Sequence, residues 1–161
     1  MPPQGRERAR RKTARMAGEE EVQAVESCFV TPYADTPRKA LQLSLIDLML
    51  ANVGYTPLLH FYRRRHTATD DFFDVTRLKM ALAKALVAFY PMAGRFRVGA
   101  DGRLEIDCNG KGMLFLVAHS RLTVDDFSDF KPSPKLRRLL VPHVDDSARL
   151  LCATQVRLIV N

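Results

Sequence analysis

Beyond residue 20, apolar and polar positions follow recognisable periods, and each period predicts an element. Residues 22–31 (VQAVESCFVT) read as a strand, closed by Pro32 and a polar turn through Asp35, Thr36 and Pro37. Residues 41–53 (LQLSLIDLMLANV) are strongly apolar but too irregular to assign to helix or strand. Residues 58–63 (LLHFYR) alternate as a strand does: Leu58, His60 and Tyr62 share one face, and Leu59, Phe61 and Arg63 the other. The plainest helix covers 75–90. Asp74 is placed to cap it, Val75, Leu78, Leu82, Leu86 and Phe89 form an apolar stripe, and Pro91 with Gly94 end it. Short strands follow at 95–98 and 103–107 around Gly99 and Gly102. Asn109 to Gly112 then lead into a strand at 113–118. Both connections read as hairpins whose glycines supply positive φ. A short helix is expected at 135–140. Residues 150–160 (LLCATQVRLIV) carry apolar side chains on both faces, the pattern of an interior strand. No internal repeat is present.

Charge changes the picture at the N-terminus. The 161 residues have a net charge of +7, but residues 1–18 hold six of the 25 basic side chains (Arg6, Arg8, Arg10, Arg11, Lys12, Arg15) and one acid, Glu7. The remaining 19 bases and 17 acids leave the body close to neutral. Residues 1–18 contain no aromatic and no β-branched aliphatic side chain, so they read as a disordered basic leader, and 19–161 as the folded domain. A localisation or nucleic-acid patch, a transit peptide and a segment without function all compete for the leader. The last fits best, because a chain starting at Met16 would begin just before the first patterned segment. No run approaches 18 consecutive apolar residues, and no apolar signal core opens the chain, so neither membrane insertion nor export is expected. Cys28, Cys108 and Cys152 are odd in number and dispersed, which suits reduced thiols in a cytoplasmic setting.

Candidate chemistry is sparse. Gly110-Lys111-Gly112 is not a phosphate loop, because Glu105 stands where a first glycine is needed and no Ser or Thr follows the lysine. The three cysteines lie in strand-like surroundings that favour structural thiols over nucleophiles. Asp125, Asp126 and Asp129 sit in a polar loop, and His119 and His143 have no acid placed by a motif. His60, on an otherwise apolar and aromatic strand, reads first as a core histidine and second as a pocket residue. His66 to Asp70 form an H-x-x-x-D spacing. With four histidines and twelve aspartates, chance alone produces such a match with a probability of about 0.3. It follows Arg63-Arg64-Arg65 in a charged loop, where nothing would exclude water, and it is treated as a decoy.

Several segments, in order, carry a resemblance. They are Val25 to Pro32 (VESCFVTP), Leu43 to Asp47 (LSLID), Phe61 to Arg64 (FYRR), Tyr90 to Arg95 (YPMAGR), Ile106 to Gly112 (IDCNGKG) and Phe127 to Pro134 (FSDFKPSP). Together they resemble the opening of plant BAHD acyltransferases, and within them the hydroxycinnamoyl-CoA:shikimate/quinate hydroxycinnamoyltransferases. The resemblance covers about residues 22–160 and corresponds to roughly the first third of a family member. It implies an α/β fold, a mixed sheet with flanking helices, as the incomplete N-terminal domain of a two-domain fold of the chloramphenicol-acetyltransferase type. It also implies acyl transfer from an acyl-CoA to a hydroxyl or amine acceptor, with the histidine of an H-x-x-x-D-G motif as general base.

That motif would follow the 150–160 strand, and the sequence has neither it nor the tryptophan of the family's D-F-G-W-G motif. His66 to Asp70 precede the 75–90 helix and lack the glycine, so they do not stand in. The chain therefore reads as truncated and inactive alone, with no catalytic, cofactor-binding or metal site of its own. By the resemblance, Tyr55, Leu58 and His60 would line the acyl-acceptor pocket. All three depart from the His, Ser and Tyr often found there, so the resemblance does not carry shikimate or quinate with it. The expected partners are an acyl acceptor and acyl-CoA, once the rest of the fold is supplied, with no nucleic acid and no membrane. The rival reading is a non-catalytic fragment that pairs with full-length relatives through its terminal strand.

Overall fold

The computed structural model describes residues 22–51, 54–62, 73–122, 131, 133–142, 144 and 149–159. The basic leader and the His66–Asp70 spacing lie outside the described residues. In chain order the elements are β1 (Val22–Val30), β2 (Ala40–Gln42), α1 (Leu45–Ala51), α2 (Val75–Ala88), a 3-10 turn (Tyr90–Ala93), β3 (Arg95–Val98), β4 (Leu104–Asp107), β5 (Met113–Ser120), α3 (Pro134–Leu140) and β6 (Ala153–Ile159). The chain is α/β, as the resemblance implied. Among the described residues no helix is long and apolar enough to cross a membrane.

Two compact units are present. Among the described residues the first comprises 22–26, 116–122, 131, 133–142 and 155–159, and the second 27–51, 54–62, 73–115, 144 and 149–154. In the first, Ser133 caps α3 by accepting the Leu136 amide at 3.1 Å, and Pro134 opens the helix where its missing N–H costs nothing. Leu139 and Leu140 are thereby turned inward against Leu122 and Leu136, a small core of branched side chains.

The second unit is built around the sheet β2-β4-β3, antiparallel throughout. Arg95, Phe96, Arg97 and Val98 pair with Asp107, Ile106, Glu105 and Leu104, and Ala40 to Gln42 pair on the other edge of β4. Gly102, at φ +78°, makes the β3–β4 reversal, with the Gly99 amide donating to the Arg103 carbonyl at 2.8 Å. α2 begins at its expected cap: Asp74 Oδ1 accepts the Arg77 amide at 2.6 Å. It ends as Pro91 enters the 3-10 turn, and the Gly94 amide closes that turn on the Pro91 carbonyl. Gly94 is required for packing, since a Cβ there would overlap the main-chain carbonyl of Asp107. Leu86, 2% exposed, is the most buried residue of the α2 stripe.

Four expectations are corrected. Residues 58–63 were expected as a strand, yet no regular structure forms over 54–62, and Arg63 lies outside the described residues. An alternating pattern specifies two faces but cannot supply a neighbouring strand to pair with. Phe89 does not join the α2 stripe. It lies past the helix end and is 66% exposed. The 109–112 connection is no hairpin, because β4 and β5 belong to different sheets; Gly110 and Gly112 do have positive φ. Finally, the 150–160 segment becomes β6 only from Ala153, and it occupies an end of the order β1-β5-β6. Apolar side chains on both faces describe what covers a strand above and below, not what lies along its edges. The undecided 41–53 segment resolves into the end of β2 and then α1.

Candidate functional site

Tyr55, Leu58 and His60, the residues expected to face an acceptor, all lie in the irregular segment 54–62. Gly54, at φ +84°, turns the chain into it. Tyr55 is the fixed member of the three, its hydroxyl donating to the Leu150 carbonyl at 2.7 Å. Leu150 is itself held: it forms an isolated antiparallel bridge with Arg95, and the Phe96 amide donates to the neighbouring Arg149 carbonyl at 3.0 Å. Leu150 is almost wholly buried, so this bond ties 54–62 to main chain that cannot shift freely.

Arg95 completes the cluster. Its Nη1 donates to the carbonyls of Gly94 (2.7 Å) and Gly112 (2.8 Å), and its guanidinium lies 4.9 Å from the Phe29 ring centre, a cation–π contact. Burial draws the Arg95 pKa down, and the nearby Tyr55 hydroxyl partly counters it. Gly112 is the hub of this packing. Its amide donates to Ala93, its carbonyl accepts from Arg95, and its Cα lies against the main chain of Val30.

Leu58 and His60 are not drawn into that cluster. Leu58 is 79% exposed, and His60, expected first as a core histidine, is exposed as well. The His60 ring faces Tyr62 at 6.3 Å between centres, and Tyr62 meets Phe73 edge-on at 5.3 Å. Among the described residues His60 makes no hydrogen bond or ion pair, so nothing orients it as a general base. Two concavities are described, one along α2 from Asp74 to Lys84 and one beside α1, and neither includes Tyr55, Leu58 or His60. Sequence reasoning missed Leu150 and Arg95 as partners of this segment. Tyr55 and Leu150 are 95 residues apart, and no local pattern links them.

Other chemistry is sparse here too. All three cysteines are free thiols. Burial pushes the Cys108 thiol up, with the Asp107 charge adding to the effect, and burial pushes Cys152 up as well. A raised thiol pKa means less thiolate, the opposite of an activated nucleophile. Among the described residues, no three His, Cys, Asp or Glu side chains are placed to hold a metal ion.

A family described as Transferase matches residues 20–157, nearly the whole patterned body. The chain belongs to this Transferase family, that of the BAHD acyltransferases. It is 50% identical over 126 residues to the shikimate O-hydroxycinnamoyltransferase of Nicotiana tabacum, a match covering 78% of this chain and 28% of the relative. Putrescine hydroxycinnamoyltransferase 1 of Oryza sativa subsp. japonica is 44% identical, with 82% and 30% covered. Anthranilate N-benzoyltransferase protein 1 of Dianthus caryophyllus is 41% identical, with 78% and 30% covered. Among solved structures, vinorine synthase superposes with a TM-score of 0.55 at 18% identity, over 86% of this chain and 35% of that one. That likeness concerns the fold alone. The chain thus spans less than a third of the length of these curated relatives.

Proposed function

We propose that this chain supplies the N-terminal part of an enzyme that transfers an acyl group from an acyl-CoA, such as a hydroxycinnamoyl-CoA, to a hydroxyl or amine acceptor. The observation that carries this is the family match over residues 20–157, joined to relatives named as hydroxycinnamoyl and benzoyl transferases. The 161 residues alone are inactive on this reading. The sequence holds no H-x-x-x-D-G histidine and no tryptophan, and neither of the two histidines in its described body, His60 and His119, is oriented by a carboxylate. Without a positioned base to deprotonate the acceptor, and without donors to meet the oxyanion of the tetrahedral intermediate, most of the rate enhancement is lost.

Tyr55, Leu58 and His60 are proposed to line the acceptor side of the completed site. With Tyr55 anchored on Leu150, the 54–62 segment leaves from a fixed point, and Leu58 and His60 remain available to contact an acceptor. Residues 1–161 continued in frame by the remaining length of the tobacco relative, assayed with p-coumaroyl-CoA against hydroxyl and amine acceptors, test the proposal. Turnover is expected, and His60→Ala and Leu58→Ala should alter acceptor KM more than donor KM. A folded chimera with no turnover on any acceptor would refute the reading.

A second reading has one observation in its favour, the position of β6 at an end of its sheet among the described residues. An unpaired strand edge can accept a strand from another chain, which would make this a fragment that pairs with full-length relatives. Co-expression with such a relative, followed by size-exclusion chromatography, tests it. Separate elution of the two chains contradicts it.

A further inference from the structure

The helix α1 is built like a core helix and faces solvent. Of its seven residues only Asp47 is polar, and none is buried. Leu45 is 82% exposed, Ile46 70%, Met49 73% and Leu50 61%. At 3.6 residues per turn these four side chains cover an arc of about 140°, as broad as the apolar stripe by which a helix faces a protein interior. The first turn of the helix is capped locally, without burying that arc. The Ser44 amide and hydroxyl both donate to Asp47 Oδ2, at 3.0 and 2.7 Å, and the Asp47 amide donates back to Ser44 Oγ at 3.3 Å. Beside it runs a groove of about 380 Å³ whose apolar lining includes Leu43, Leu48 and Leu104, with Arg103 among its polar members.

We infer that this face is a docking surface, and that its occupant is the part of the Transferase-family fold that the chain does not span. This rests on the family reading but not on the acyl-transfer chemistry. Two observations select the occupant. The chain accounts for 28–30% of its relatives' length and 35% of vinorine synthase, so most of a complete family fold lies outside it. A seven-residue helix is also only about 10 Å long, so α1 against α1 of a second copy falls far short of the ~800 Å² per partner of a stable dimer.

The test compares two backgrounds, the 161-residue chain and the in-frame chimera with the remainder of the tobacco relative, each with and without Leu45→Glu/Met49→Glu. Thermal unfolding of the chimera should fall by roughly 5 °C or more, since the charges enter a covered apolar face. The 161-residue chain should stay within about 1 °C, because the same residues are in water there. Leu45→Ala should give a smaller loss in the chimera only. If both backgrounds are unaffected, the face stays in solvent and the proposal is overturned. If both fall alike, residues of this chain already cover it, which overturns the proposal too. A free chain that sediments as a dimer, and as a monomer once substituted, overturns it in favour of a second copy. Where the fusion does not fold, the remainder co-expressed as a separate chain should copurify with the unsubstituted protein and not with the double variant; equal capture overturns the proposal. A chimera that is folded but inactive removes the acyl-transfer reading and leaves this result standing.

Discussion

Gly112→Ala isolates the contact on which the Arg95 cluster rests. Gly112 has φ +94°, outside the region open to L-residues, and a non-glycine residue held there costs about 1–3 kcal/mol. An alanine Cβ would also lie 2.7 Å from the Val30 carbonyl oxygen and 2.9 Å from its carbon, both main-chain atoms. Relieving that overlap means moving β1 or the 110–112 turn by several tenths of an ångström. It also strains the Gly112 hydrogen bonds to Ala93 and Arg95, an overpacking cost of about 1–3 kcal/mol. The total is about 2–6 kcal/mol, a large share of the ~5–15 kcal/mol stability of an ordinary domain. Gly102→Ala is the control. Its φ is +78° but nothing lies within 4 Å of the added Cβ, so only the conformational cost remains, about 1 kcal/mol after the gain from a stiffer unfolded chain. Gly110→Ala should resemble the control, because its Cβ meets only the movable end of the Arg38 side chain. Urea unfolding of the three variants, followed by circular dichroism at 25 °C, gives the comparison directly. If Gly112→Ala falls within 0.5 kcal/mol of Gly102→Ala, the main-chain approach to Val30 is not a constraint and the argument fails.

Further expectations follow from single contacts. Arg157 Nε and Nη1 are buried with no hydrogen-bond partner among the described residues, and burial lowers its pKa to about 10. Because the folded state holds this proton less tightly than the unfolded one, the penalty is fully present below about pH 10 and is relieved only as the pH rises beyond that. Arg157→Met should therefore raise stability at pH 7 by about 1–3 kcal/mol, and a clear loss in urea unfolding would mean the charge has a partner. Tyr55→Phe should cost about 0.5–1.5 kcal/mol by removing the donor to Leu150, and an unchanged midpoint would count against that bond. Asp74→Ala should cost about 1 kcal/mol by uncapping α2, with Asp74→Asn restoring most of it; failure of the asparagine to rescue would refute capping as the cause. At pH 8 a thiol reagent should label Cys108 and Cys152 far more slowly in the folded chain than in urea, and equal rates would contradict their raised pKa.

What could be read from the sequence was local, and what could not depends on distant partners. The α2 cap and stripe, the β3–β4 reversal at Gly102 and the left-handed glycines at 110 and 112 are set by neighbours a few residues away, and each is found where expected. The segment 58–62 alternates as convincingly as β1 does, but a strand also needs an adjacent edge, which no alternation encodes. For the same reason the turn at 109–112 could be predicted while the pairing of β5 could not. In the candidate site, the residue types of Tyr55, Leu58 and His60 were visible. The bond that fixes Tyr55 was not, since it joins residues 95 positions apart. Phe89 was misplaced because the helical period was continued past the residue at which Pro91 ends it.

The most direct test of the account is p-coumaroyl-CoA turnover by the purified 161-residue chain beside the same residues continued by the remainder of the tobacco relative. Turnover is expected from the continued chain, and none above background from the shorter one. Turnover by the shorter chain that is abolished by His60→Ala would contradict it, because a base able to act would then lie within these residues.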